Sequence, residues 1–216
     1  MVPRMAGFRT HVTVSTICGV LYGAALKPIG FDPATAFLAA GVTGVGGMLP
    51  DLDSDSGIPV REMTSLAAAV LPMLLIPRLT NAGVGHEAMI ATVVLLYFVI
   101  RYLGAYVLRA ASVHRGMFHS IPAMAIAGLV VYLAYDSPNV KIRLALSAGV
   151  MIGFLSHLVL DELYSVDFNG VRIRLNRFAG SAVKFVSPSW FGTCQCYLML
   201  GGLAWLALKD SQQYWK

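Results

Sequence analysis

Seven apolar runs, near residues 12–30, 34–50, 64–80, 87–108, 118–136, 142–163 and 191–208, leave this chain of 216 residues few folds to choose from. A helix crosses a bilayer with roughly 20 mostly apolar residues, about 17 at the least. Inside lipid, such a run satisfies its own backbone hydrogen bonds only as a helix. Composition closes off the soluble alternative: the chain is 57% hydrophobic, 12% charged and has a mean hydropathy of +0.69. A soluble domain carries about 25% charged residues, so a water-facing surface could not be covered here. The expected fold is all-α, one polytopic membrane bundle over residues 1–216 with about seven (six to eight) helices. A polar, basic segment at 166–190 precedes the last helix. The first run follows Arg4 and Arg9 but is studded with His11, Thr13, Ser15 and Thr16. No small-x-small cleavage site follows a clean apolar core, so it reads as a retained helix.

Local signals refine the bundle. Gly19 and Gly23 form a G-x-x-x-G, and Gly41, Gly44 and Gly47 recur every third residue. In lipid, small residues let helix backbones approach closely; no Gly-Lys-Ser/Thr follows to make a phosphate cradle. Pro72 and Pro77 are expected to bend or shorten the third helix. Cys18, Cys194 and Cys196 read as small apolar residues rather than a redox or metal pair. The net charge of +5 suits headgroup anchoring, and no basic patch interleaved with aromatics points to nucleic acid. Seven spans put the N-terminus and the second, fourth and sixth loops on one side. That side holds Arg4, Arg9, Arg61, Arg109, Arg115, Arg172, Arg174, Arg177 and Lys184. The other holds Lys27, Arg78, Lys141, Arg143, Lys209 and Lys216, with Arg101 inside a span. Nine against six leans the first side toward the cytoplasm.

Four stretches on that side carry chemistry: Arg9-Thr10-His11, Pro50-Asp51-Leu52-Asp53, the run HRGMFHS from His114 to Ser120, and His157-Leu158-Val159-Leu160-Asp161. Alternating helices bring their ends to one membrane face, so distant residues can converge. His157 and Asp161, four apart, project from one face of a helix. They form either a buried hydrogen-bonded pair or part of a cation site, since an aspartate near a helix centre costs on the order of 2.5–3.5 kcal/mol on insertion scales. His114 and His119 are five apart and need a break at Gly116, with Ser120 capping the next helix. Arg115 between them offers a planar fork for phosphate or carboxylate, or anchors to a headgroup. His86 falls on the opposite side as a surface histidine.

The acidic run MLPDLDSDSG resembles a calcium loop, with Asp51, Asp53, Asp55 and Glu62 at oxygen-ligand spacing. That loop needs glycine at its sixth position, which here is Ser56. Asp51 and Asp53 fit better with the histidines in a mixed nitrogen and oxygen site suited to zinc, manganese or iron. Asp55 and Glu62 read as outer partners of such ligands or as solvated loop charges.

Together, RTH, LPDLD, HRGMFHS and HLVLD, with a later glycine at Gly170, resemble the YdjM-like inner-membrane, predicted metal-dependent hydrolases over roughly residues 7–170. The resemblance implies a ligand set of His11, Asp51, Asp53, His114, His119, His157 and Asp161. Beyond Asp161 this chain continues ELYSVDFNGVRIRLNRFAG, where such proteins often carry a short turn with threonine and tryptophan.

The expectation is a metal-dependent hydrolase in the bacterial inner membrane, its site leaning toward the cytoplasmic face. It would use one or two divalent transition metal ions, zinc foremost, with manganese or iron as alternatives. Its substrate would be a lipid-linked or amphiphilic phosphoester met at the membrane boundary. Arg115 would meet a phosphoryl oxygen and Glu162 would carry a proton. The alternatives are an ion or small-solute transporter built on the same residues, or a purely structural metal. The sequence sets no oligomeric state.

Overall fold

The computed structural model describes residues 7–53, 57–104, 106, 117, 119–168, 173–175, 184–186 and 189–212. Residues 52, 53, 57–63, 66, 166–168, 173–175 and 212 are described by backbone alone. The helices are α1 (Phe8–Leu26), α2 (Pro33–Gly46), α3 (Gly57–Leu74), α4 (Ile76–Asn81), α5 (His86–Phe98), α6 (Ile121–Ala134), α7 (Val140–Tyr164) and α8 (Trp190–Gln212). A 3-10 turn at Leu49–Asp53 follows α2, and α5 runs on as a π-helix, Val99–Gly104. Each of the seven apolar runs thus holds a helix among the described residues. Among the described residues, Pro33–Asp51, His86–Gly104, Val140–Tyr164 and Trp190–Ser211 are long and apolar enough to cross a membrane. Ala67–Asn81 and Ile121–Ala134 are shorter apolar helices.

Local chemistry explains the boundaries. Asp32 caps α2 by accepting from the Thr35 amide at 3.0 Å, with Pro33 in the first turn. Ser120 caps α6 by accepting from the Ala123 amide at 3.2 Å, as its position predicts. The third run divides after Leu74, between Pro72 and Pro77. Among the described residues, one departure from an all-helical chain lies in the basic segment. Val166–Phe168 (β1) pairs antiparallel with Ile173–Leu175 (β2), Val166 opposite Leu175. In sequence, alternating VDF and IRL are separated by the four residues Asn169-Gly170-Val171-Arg172, and an Asn-Gly dipeptide is a hairpin signal.

The centre is α2, which packs against α1 and α7, while α6 joins α7 to α8. Its buried residues include Leu26, Ala36, Ala39, Val42, Leu146 and Val150. Tight backbone approach holds this centre together. A Cβ on Gly153 would collide with the Thr43 carbonyl oxygen, and one on Gly23 would sit 2.7 Å from that of Ala36. Gly41 contributes no such approach, since a Cβ there meets nothing within 4 Å. The contact of α2 with α7 uses Gly46 and Gly47 instead. Outward faces are apolar: Ile90 and Val94 on α5, Leu198 and Trp205 on α8, are all exposed, as lipid-facing residues are.

Polar groups gather at the two ends. At one, Arg143 is buried in the first turn of α7 rather than free in a loop, as its place in the charge count implied. It pairs with Asp210 of α8, donates to the Tyr132 carbonyl from Nε at 3.1 Å, and lies over the Tyr132 ring at 4.0 Å. Arg78 reaches the same Asp210 at 3.1 Å. The other end holds the candidate site.

Candidate metal centre

Four elements deliver five side chains to one point. His11 comes from the first turn of α1, Asp51 from the 3-10 turn, His119 from just before α6, and His157 with Asp161 from the last turns of α7. His157 and Asp161 share a face because 3.6 residues per turn returns the chain four positions on, and His157 Nε2 lies 3.3 Å from Asp161 Oδ2. Asp161 is the hub. Its Oδ1 meets His11 Nε2 at 3.2 Å and its Oδ2 meets His119 Nε2 at 3.5 Å. Asp51 Oδ1 lies 3.6 Å from His157 Nε2. The His11 and His157 rings stack with centroids 3.7 Å apart, and His119 stands edge-on to His157 at 5.4 Å.

The tautomer of His157 decides what this arrangement can bind. Its Nδ1 lies 2.8 Å from the Gly47 carbonyl oxygen, which can only accept, so Nδ1 carries the proton. In the neutral ring Nε2 then presents a lone pair toward two carboxylates. That nitrogen is fully buried and makes no hydrogen bond. A lone pair facing carboxylate oxygens inside a bundle is repulsive unless a proton or a metal cation lies between them. Metal-bound histidines are oriented in this way, the remote N–H held by a carbonyl or carboxylate.

Two overlapping sets have ligand atoms within 4.8 Å of one another: His11, His157 and Asp161, and Asp51, His119 and His157. Three imidazoles and two carboxylates form a donor set that suits zinc, manganese or iron. His11 and His157 are almost wholly buried, whereas Asp51 and His119 are partly exposed at side-chain values of 20% and 25%. The cluster therefore opens on their side. His119 lies outside the spanning helices. Burial pushes its pKa down to about 4, with the neighbouring His157 adding to the effect, so it stays neutral and able to donate a lone pair.

Of the other residues singled out in the sequence, Asp53 ends the 3-10 turn but its side chain lies outside the described residues. His114, Arg115 and Asp55 lie wholly outside them. Glu162 is partly buried in α7 and belongs to neither ligand set. His86 is exposed at the start of α5, away from the cluster. Two contributors, Gly47 and Lys184, stand in the sequence only for helix packing and for charge. The Gly47 carbonyl orients His157, and only the glycine spacing hinted at that segment's closeness to another helix. Lys184, from the basic segment, accepts at its carbonyl from the Ile121 amide at 3.1 Å. That hydrogen bond sets its charge close enough to His119 to help hold the ring neutral.

Comparison with curated proteins and with solved structures gave no match. The family model described as YdjM inner membrane protein matches residues 5–175, which take in all five clustered side chains and the β-hairpin. With four helices able to cross a bilayer, this chain belongs to the YdjM inner membrane protein family.

Proposed function

We propose that the cluster binds a divalent transition metal, zinc foremost, and that the protein hydrolyses a phosphoester of an amphiphilic or lipid-linked substrate at the membrane boundary. The observation that carries this reading is the buried, unbonded Nε2 of His157, aimed at Asp51 and Asp161. His11, Asp51, His119, His157 and Asp161 would hold the ion, with Asp53 and His114 available to add ligands or to help hold a second one. A ring lone pair serves one ion, so the sharing of His157 by both sets favours a single principal position. When bound, such an ion supplies Lewis acidity, lowering the pKa of water and polarising a phosphoryl oxygen.

The chain's own groups do the rest. Gly47 fixes the ring of His157, Asp161 holds three imidazoles in one arrangement, and the buried His11 side excludes water. Substrate approaches from the half-open side of Asp51 and His119. Arg115 would meet a phosphoryl oxygen, and Glu162 would carry a proton to or from the boundary. The sequence count of basic residues, nine against six if seven spans alternate, favours the cytoplasmic face for this end.

Metal content of the detergent-purified protein, measured beside His157→Ala and His11→Ala with helicity followed in each, tests the reading. Near-stoichiometric metal lost in both variants, with helices retained and metal-dependent cleavage of an alkyl phosphoester by wild type, is the expected result. Failure to bind zinc, manganese or iron overturns it. Metal that binds without turnover, and whose removal melts the helices, would mark a structural ion instead.

A further inference from the structure

We propose that an apolar cavity beside the cluster is the seat of a hydrocarbon chain, so that the ligand is a membrane amphiphile held with its tail inside the bundle and its polar head at the cluster. The cavity measures about 350 Å³ and lies between α2, α3, α6, α7 and α8. Ligand cavities of roughly 300–1,000 Å³ with mostly apolar walls are the usual size for small molecules. Only the placing of the polar head rests on the proposed function; the tail site stands on the cavity itself.

Three walls lead to the cluster along the chain. On α7, Val150 and Phe154 line the cavity and His157 follows at the next turn, four and then three residues on, so all three share one face. Leu49 lines it two residues before Asp51, and Met117 two residues before His119. From that end the cavity follows α6 between Ala123 and Val131, eight residues or about 12 Å at 1.5 Å per residue. It is therefore a slot running into the bundle from the site.

The walls also say what fills it. Among the described lining residues Gln195 is the one with an amide side chain, and Ala67, Ala123, Ala127 and Gly192 keep the space open where larger residues would close it. Water needs two to four polar partners to stay in a cavity, and apolar cavities remain dry or take apolar guests. A partner helix is excluded by size, since a helix with its side chains is about 10–12 Å across. In a bilayer the abundant apolar guest of slot shape is a lipid or other alkyl chain.

Equilibrium binding of radiolabelled dodecyl phosphate to the full chain in a steroidal detergent, whose rigid body does not imitate a chain, tests this. Wild type is compared with Ala127→Trp and Met199→Trp, which fill the slot from α6 and from α8. The expected result is saturable, one-to-one binding, at least tenfold weaker in a variant that retains wild-type helicity, and at least tenfold weaker competition by butyl phosphate. No saturable binding to wild type, equal binding by the filled variants, or equal competition by butyl phosphate overturns the proposal. If Ala127→Trp loses helicity, Met199→Trp, on an exposed face of α8, carries the comparison. Metal content is read on the same preparations. Chain binding without metal leaves the tail site standing and removes the metal reading; metal without chain binding does the reverse.

Discussion

The Nδ1 of His157 lies 2.8 Å from the carbonyl oxygen of Gly47, a residue 110 positions earlier in the chain. This one contact ties α7 to the end of α2 and aims the opposite ring nitrogen at Asp51 and Asp161. It exists because Gly46, Gly47 and Gly153 let the two backbones come together where any side chain would hold them apart.

Gly153→Val is therefore expected to damage the site without touching a ligand. Its Cβ would overlap the Thr43 carbonyl oxygen and lie 2.8 Å from the Gly47 nitrogen. Overpacking of this kind costs about 1–3 kcal/mol. Thermal unfolding in detergent should shift downward and bound metal should fall. Gly41→Ala, where nothing lies within 4 Å, should keep both. Full metal content in Gly153→Val would disprove the dependence of the site on this approach.

Asp161→Asn keeps the shape of the hub and removes its charge. Because Asp161 contacts His11, His119 and His157, metal affinity should fall at least tenfold, in line with the loss of a charged ligand and the orientation it provides. Helicity should persist. Titration with zinc followed by a competing chelator measures the change, and an unchanged affinity would remove Asp161 from the ligand set.

His119 gives the metal-free protein a pH dependence with a definite sign. Its folded pKa, about 4, lies below the ordinary histidine value of 6.5, so between those values the unfolded chain binds the extra proton. Stability therefore falls as pH drops from 6.5 toward 4. His119→Gln removes this contribution, so its unfolding temperature should decline less steeply over that window. Parallel slopes for the two proteins would contradict it.

At the opposite end, Asp210→Asn should destabilise the bundle by about 3–5 kcal/mol, because it leaves the buried Arg143 without its carboxylate. The double variant Arg143→Met with Asp210→Leu should recover much of that loss, and both should bind metal as wild type does. A double variant less stable than the single one would show that the pair is worth more than apolar packing in its place.

Much of this protein is legible along the chain. The helical runs follow from the length of apolar sequence that lipid requires, and the pairing of His157 with Asp161 follows from helical periodicity. The capping of α6 by Ser120 and the break between Pro72 and Pro77 are likewise local backbone chemistry. Arg143 shows where local reasoning stops. Its position near a helix start resembles that of a headgroup anchor, yet the bundle buries it against Tyr132 and Asp210, and no local pattern distinguishes those fates.

The sequence by itself determined which segments are helices, which of their ends face the same way, and which residue types could serve a cation. Only the tertiary structure decided that His11, Asp51, His119, His157 and Asp161 meet within a few ångströms, that the Gly47 carbonyl sets the tautomer of His157, and that an apolar slot opens beside them. The physical reason is range. Helix formation and side-chain periodicity act over a few residues and are written in each segment. The depth to which α2 and α7 interlock depends on surfaces more than a hundred residues apart, whose fit exists only once both helices are in place.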